Sequence, residues 1–284
     1  MAKRVALIGN PLKRRHSAIM HDAAFRHFSI DASYELHEIE RSEIGQFVAA
    51  TRNDEWLGFQ VTAPFKRDVV EFLDEVEAGA EKIGAVNSVA RQPDGRLVGF
   101  NTDSPGFQRG AETALGISFN GITASVAGAG GAARAVVYAL VTAGASRVAI
   151  CDVMAERAEE LAAAYGPPVQ AVAVGSPFAE SLSTAELAVN ATTVGMIQPG
   201  TSFDVDLLQE SAVVFDLVYT PPESELLGLA RRRGLLASNG LGMLVSQAEI
   251  AFERWTGVAD AGPVMRKALD DEMGPGDRGL VQPN

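Results

Sequence analysis

Apolar residues recur in short runs separated by longer amphipathic stretches, the rhythm of alternating strands and helices. Residues 5–8 form an apolar run closed by Gly9-Asn10-Pro11, a strand ending in a turn. Residues 17–28 read as a helix and residues 34–39 alternate as a strand does. Phe59-Gln60-Val61 is a further short strand, and Thr62-Ala63-Pro64 reads as a helix start with proline near the first helical position. Val69, Phe72, Leu73 and Val76 continue that helix at i, i+3, i+4, i+7. Strands are expected again at 85–89 and 97–100.

From residue 122 the texture changes. ITASVA is a buried, parallel-type strand, a glycine-rich turn opens a helix, RVAIC is the next strand and AERAEELAAAYG a second helix. This β-α-β unit, with further apolar strands at 187–190 and 213–218, predicts a doubly wound sheet over about 105–240. Residues 242–269 are helical, and the final GPGDRGLVQPN is expected to fray. Two lobes with a cleft between them is the architecture this order implies. No apolar run reaches eighteen residues and MAKRVALIGNP has no signal-peptide core, so a cytoplasmic protein is expected, with no membrane partner.

Composition narrows the chemistry. At 284 residues, 47% hydrophobic and 21% charged, the chain is globular, with one to two domains. Twenty-four basic against 36 acidic residues give a net charge of −12, which argues against nucleic acid or anionic lipid as partner. Cys151 is the single cysteine, so neither an internal disulfide nor a cysteine-ligated zinc is available, and no metal is expected. All four histidines, His16, His21, His27 and His37, fall in the first forty residues, and the lysines are Lys3, Lys13, Lys66, Lys82 and Lys267. Few side chains can carry a proton.

Gly128-Ala129-Gly130-Gly131-Ala132-Ala133 is G-x-G-x-x-A between a strand and a helix. The first glycine permits a tight turn, Gly130 lets a pyrophosphate approach the backbone, and Ala133 allows close helix packing, while the helix start offers N–H groups to phosphate. Tight turns use the same residues, but the surrounding strand–helix–strand order marks a Rossmann-type dinucleotide site. Asp152 ends the second strand, where a carboxylate can accept from the ribose hydroxyls of NAD and repel the 2′-phosphate of NADP; capping the next helix is its other reading. Arg157 reads as a solvated helix residue.

Inventory excludes several nicotinamide enzymes. Tyr-x-x-x-Lys fails at every tyrosine, since Glu38, Thr142, Val169 and Glu223 occupy the lysine position. No histidine follows the cofactor motif, zinc ligands are lacking, and beyond the cofactor domain only Lys267 remains, in a surface-type helix. Lys66, in the first turn of the expected helix and near its positive end, is left as the candidate proton carrier.

IGNP at 8–11, VTAPFK at 61–66, GAVNS at 84–88, GFNTDSPG at 99–106, GAGGAARAV at 128–136, NATTVGM at 190–196, DLVYTPPESELL at 216–227 and GMLVSQAEIAFERWTG at 242–257 occur in order. In these stretches the chain resembles the shikimate/quinate dehydrogenase family over nearly its whole length. The resemblance implies an α/β fold: an α/β substrate domain, residues 1–104 joined by helices from 241–284, and a Rossmann-type doubly wound parallel sheet domain at 105–240. It implies reversible oxidation of a ring hydroxyl on a cyclic hydroxy acid, with Lys66 and Asp103 as the catalytic pair. Asn87 and Gln247 would hold ring hydroxyls, Thr62 the carboxylate end, and Tyr219 would close over the substrate. Asn190, Thr192 and Met196 would line the nicotinamide side, with Gly128, Gly130, Gly131, Ala132, Asp152 and Gly240 also at the cofactor; for Tyr219 and Met196 packing is the alternative. A monomer or homodimer is expected.

The family pattern breaks at the substrate end. Where the family carries H-S-x-S-P, ungapped counting from Gly9-Asn10-Pro11 to His21 puts Ser17 on the second serine, Arg15 on the first and Ala18 on the proline. Gln60 stands for the asparagine of N-V-T-x-P-x-K, longer by one methylene, and with Ser17 is expected at the substrate; Ser88 stands for the usual threonine. Arg15 either pairs with a carboxylate or points to water. The NADP-type Asn-Arg-Thr reads Cys151-Asp152-Val153, which favours NAD as cofactor over NADP. The expectation is an NAD-preferring oxidoreductase of shikimate or quinate type; the alternatives are the same chemistry on a non-shikimate hydroxy acid, or an NAD-binding sensor.

Overall fold

In the computed structural model, which describes residues 2–12, 14–273 and 280–281, the chain divides into two units: one runs to Asp103 and resumes at Val245, the other spans Ser104–Leu244. The first unit opens with strand β1 (Lys3–Gly9), helix α1 (His16–His27), β2 (Ala32–Glu38), α2 (Ile44–Ala50) and β3 (Trp56–Val61). It continues with β4 (Glu75–Val76), α3 (Ala78–Ile83), β5 (Ser88–Arg91) and β6 (Leu97–Phe100). The sheet order is β2-β1-β3-β5-β6-β4, parallel among β1, β2 and β3 and antiparallel from β3 to β5 and β5 to β6. Ala6, Ile8, Phe59, Val69, Val86, Val89 and Leu97 are fully buried against it. Fully burying one such side chain contributes about 1.5–3 kcal/mol, which is why the register of these alternating strands is fixed.

The helix expected from Thr62 does not form. Residues 63–67 run through successive turns and Asp68–Phe72 is a 3₁₀ helix, after which the chain joins the sheet edge as β4. Two pulls defeat the helical stripe. Adjacent β-branched Val69 and Val70 favour helix weakly, and the sheet captures the following segment: Asp74 and Glu77 donate their backbone N–H groups to Leu97 and Gly99, while the Asp74 carboxylate accepts from Leu97 N–H at 2.7 Å. Val69, Phe72, Leu73 and Val76 still pack into the core, so the period was right about burial and wrong about conformation. Lys66 therefore lies in a turn and not in the first turn of a helix of its own.

The second unit contains α4 (Asp103–Leu115), β7 (Thr123–Ala127), α5 (Gly131–Thr142), β8 (Arg147–Cys151), α6 (Ala155–Tyr165), β9 (Val169–Ala171), α7 (Ser176–Leu182), β10 (Leu187–Asn190), β11 (Val213–Asp216), α8 (Glu225–Arg232) and β12 (Leu236–Asn239). Its sheet runs β9-β8-β7-β10-β11-β12, all parallel, the doubly wound order whose direction reverses between β7 and β10. Short strands buried on both faces, such as β10 and β11, explain the continuous apolar runs in the sequence. Helix α9 (Leu241–Thr256) begins in the second unit and ends in the first, and α10 (Gly262–Met273) follows. The helical stretch expected at 242–269 is thus broken at 257–261. Of the tail expected to fray, only Leu280–Val281 lies within the described residues, as β13, an antiparallel partner of β12.

Among the described residues no helix is long and apolar enough to cross a membrane, and no three His, Cys, Asp or Glu side chains cluster as a metal site.

Candidate active site

In the first unit the site is built where strands end. The Lys66 carbonyl accepts the Val86 N–H at 2.8 Å and the Asn87 carbonyl accepts the Val61 N–H at 2.8 Å, so the turn after β3 is fastened to the segment entering β5. Asn87 then reaches the start of α4. Its Nδ2 donates to Asp103 Oδ1 at 2.8 Å and to Thr102 Oγ1 at 3.0 Å, and its Oδ1 accepts from Thr102 N–H at 2.8 Å. Lys66 Nζ donates to the other oxygen, Asp103 Oδ2, at 2.6 Å, and both side chains are largely buried, 21% and 12% exposed. An ammonium paired with a carboxylate that is itself held by an amide has one position, which is what directional proton transfer needs.

Gln247, from α9, joins the same group: its Oε1 accepts from Gln60 Nε2 at 3.0 Å and from Thr102 Oγ1 at 3.3 Å. Gln60 in turn accepts from the Tyr34 hydroxyl at 2.6 Å. Burial pushes the Tyr34 phenol far above its ordinary range, with the Ser17 hydroxyl beside it acting in the opposite direction. Thr62 directly follows β3, its N–H bonded to the Ile8 carbonyl at 2.9 Å. The structure therefore gathers Lys66, Asp103, Asn87, Gln247 and Gln60, with Ser17 at the far end through Tyr34.

Arg15 is not part of this group. It is exposed at the N-terminal cap of α1 and lines a groove of about 360 Å³ with Ala18, Ile19, Asp22, Arg26, Ala268 and Asp271. That exposure agrees with the reading in which it points to water.

In the second unit the carboxyl ends of the parallel strands lie in register: Ala127 beside Cys151 and Asn190, Asn190 beside Asp216, and Asp216 beside Asn239. Ligands of doubly wound sheets bind at this edge. Gly128 sits at φ +103° with the Ala191 carbonyl 2.9 Å from where a Cβ would stand, so the turn requires glycine. At Gly130 and Gly131 the space a Cβ would fill is open and neither has positive φ; nothing in the protein demands glycine there, and the open space leaves room for a ligand to approach the backbone. Gly130 caps α5 without a side chain, which leaves the first N–H groups, including that of Ala132, open to a pyrophosphate. These residues fit a dinucleotide.

Asp152 is engaged within the loop itself. Its Oδ2 accepts from Ala129 N–H at 2.8 Å and its Oδ1 from Met154 N–H at 2.9 Å, so the carboxylate pins the glycine turn to the end of β8. Asn190 Oδ1 accepts from the N–H and hydroxyl of Thr192 at 3.0 and 2.7 Å, shaping the loop after β10. Gly240 is required by packing, since a Cβ there would stand 2.3 Å from the Leu217 carbonyl. Met196 is 36% exposed and Tyr219 half-buried.

Reading the sequence missed Tyr34 and Thr102 in the first unit and Asp216 and Ser224 in the second. Buried Asp216 accepts from Asn190 Nδ2 at 2.8 Å, Ser224 Oγ at 2.5 Å and Val218 N–H at 3.0 Å; burial raises its carboxyl above the usual range, opposed by those donors. Thr102, Asp216 and Ser224 all lie inside the matched stretches GFNTDSPG and DLVYTPPESELL, the one signal that could have singled them out.

Residues 7–89 match the shikimate dehydrogenase substrate binding domain and residues 240–269 the shikimate 5′-dehydrogenase C-terminal domain. A curated shikimate dehydrogenase (NADP(+)) from Geobacillus kaustophilus is 37% identical over 263 residues, 90% of this chain and 94% of the relative. The chain belongs to the shikimate/quinate dehydrogenase family. Among solved family members, shikimate 5-dehydrogenase from Thermus thermophilus, in complex with NADP(H) and shikimate, superposes with a TM-score of 0.84 at 35% identity, covering 94% of this chain and 99% of that one. Quinate dehydrogenase from Corynebacterium glutamicum in complex with NAD gives 0.88 at 32% identity, covering 95% and 99%. As a member of this family the protein is a hydroxy-acid oxidoreductase with a Rossmann-type domain and a substrate-binding domain.

One expectation is corrected by these family relatives. NAD was read as the preferred cofactor from Asp152, yet the curated relatives are named for NADP(+) and the Thermus enzyme is complexed with NADP(H). The physical weakness of that reading is visible in the loop: both Asp152 oxygens already accept backbone N–H groups, so its presence is explained without a ribose contact.

Proposed function

We propose that this protein catalyses the reversible oxidation of a ring hydroxyl on a shikimate-type cyclic hydroxy acid, with Lys66 and Asp103 handling the proton. The observation that carries this reading is the 2.6 Å Lys66 Nζ–Asp103 Oδ2 contact, with Asp103 fixed through its other oxygen by Asn87. Oxidising a secondary alcohol removes a hydride from carbon and a proton from oxygen. As the neutral amine, Lys66 Nζ takes the proton from the hydroxyl in oxidation and becomes the ammonium, and that ammonium returns the proton in reduction; Asp103 orients Nζ and accepts from the neighbouring hydroxyl. Asn87 and Gln247 hold ring hydroxyls, and Ser17 and Thr62 receive the carboxylate. A bound nicotinamide dinucleotide supplies the hydride acceptor; Gly128, Gly130, Gly131 and Ala132 would hold its pyrophosphate, with Asn190, Thr192, Met196 and Gly240 on the nicotinamide side. The names of the curated relatives make NADP(+) the cofactor to supply first.

The test is a steady-state assay of shikimate and quinate with NADP(+), following the reduced cofactor. Turnover of shikimate is expected. The likeness to the Corynebacterium quinate dehydrogenase makes quinate the second acid, and turnover of neither acid would contradict the reading.

A further inference from the structure

Gln60 reads from the sequence as a substrate ligand, but its hydrogen bonds serve the protein. The side chain is 4% exposed. Its carbonyl accepts from Tyr34 Oη at 2.6 Å, and its NH₂ donates to Gln247 Oε1 at 3.0 Å. The Thr102 hydroxyl lies within 3.3 Å of both Gln247 Oε1 and Asn87 Oδ1 and can donate to either. The Gln60 NH₂ is the amide donor that holds the Gln247 carbonyl on this side, which turns Nε2 the other way. A carbonyl that faced the substrate would ask for a donor; an NH₂ asks for an acceptor oxygen.

The extra methylene of Gln60, relative to the asparagine of the family pattern, is what lets one amide span Tyr34 and Gln247. Tyr34 cannot drift, because its ring is buried and stacked on His21 with centroids 4.7 Å apart and planes 4° from parallel. His21 is itself fully buried among Phe25, Phe252 and Trp255. Gln60 lies beside the His21 ring, whose nitrogens make no hydrogen bond of normal geometry, and burial lowers the imidazole to about 3, so the wall stays neutral. Tyr34, Gln60, Gln247, Thr102, Asn87, Asp103 and Lys66 form one unbroken hydrogen-bonded series.

Building on the proposed reaction, we infer that Tyr34 and Gln60 are a positioning pair: they fix the Gln247 amide so that it presents NH₂ to an acceptor oxygen of the bound acid, and Gln60 acts through Gln247 and not by touching substrate.

A double-mutant cycle of Tyr34→Phe and Gln60→Asn, read as kcat and KM for shikimate and for cofactor, tests this. Each single change removes about one hydrogen bond's worth of positioning, so KM for the acid is expected to rise about fivefold, with kcat and cofactor KM within about twofold. The double variant is expected to match the worse single variant, because both changes break the same link. Substrate effects that multiply in the double variant, or an unchanged acid KM in both singles, would overturn the pair. If Tyr34→Phe fails to fold, Gln60→Asn decides alone: an unchanged acid KM overturns the inference. Absence of turnover by the wild-type enzyme with either acid overturns the functional reading and the inference with it, whereas turnover with multiplying effects overturns the inference alone.

Discussion

Asn87 Nδ2 donates to Asp103 Oδ1 at 2.8 Å, so the carboxylate that pairs with Lys66 is held at both oxygens. Asp103→Asn keeps the shape and loses the charge that orients Nζ. It is expected to lower kcat about a hundredfold with the acid KM changed far less, since the loss is felt where the proton moves. Steady-state kinetics on the folded variant check it; a rise in the acid KM with kcat unchanged would make Asp103 a binding residue only.

Asp152 is an internal brace of the glycine loop. Asp152→Ala leaves the Ala129 and Met154 N–H groups without their charged acceptor and is expected to cost about 1–3 kcal/mol in a denaturant titration. An unchanged midpoint and slope would show that the brace contributes nothing to stability.

Arg4 grips Glu35 with two bonds, Nε to Oε1 at 2.7 Å and Nη2 to Oε2 at 2.8 Å, and stacks 4.3 Å from the Trp56 ring centroid. This guanidinium, with His37 adding to it, holds the Glu35 carboxyl down at about 2, against 4.5 unperturbed. Between those values the unfolded chain binds more protons than the folded one, so stability from Glu35 is present above pH 4.5 and is lost as pH falls toward 2. The stability gap between wild type and Glu35→Gln should therefore narrow across that window. A gap that stays constant from neutral pH down to pH 2 would contradict the pairing.

In the second unit β7, β8, β10 and β11 were legible because apolar runs mark strands buried on both faces, and the glycine turn obeys a strict geometric rule; the three-residue β9 and the half-polar β12 (LASN) carry no such run. Lys66 was reached by inventory, but Asp103, Asn87 and Gln247 were legible only through the family pattern, since the contacts join residues up to 187 apart in the chain, as at Gln60 and Gln247. Periodicity failed after Thr62, where Val69, Phe72 and Leu73 bury one side of a 3₁₀ segment as well as they would a helix. The sequence left Arg15 open between a carboxylate and water, since its direction depends on how α1 seats on the sheet, and the NAD reading of Asp152 overlooked partners that are backbone groups no residue pattern displays.

The central claim is that Lys66 carries the proton. The most direct measurement is kcat of Lys66→Ala for shikimate with saturating NADP(+), alongside the acid KM. A loss of about 10²–10⁴ in kcat with KM within a few-fold is the predicted result. Retention of more than about a tenth of the wild-type kcat by the folded variant would contradict it, because general acid–base catalysis by this group would then contribute less than a factor of ten.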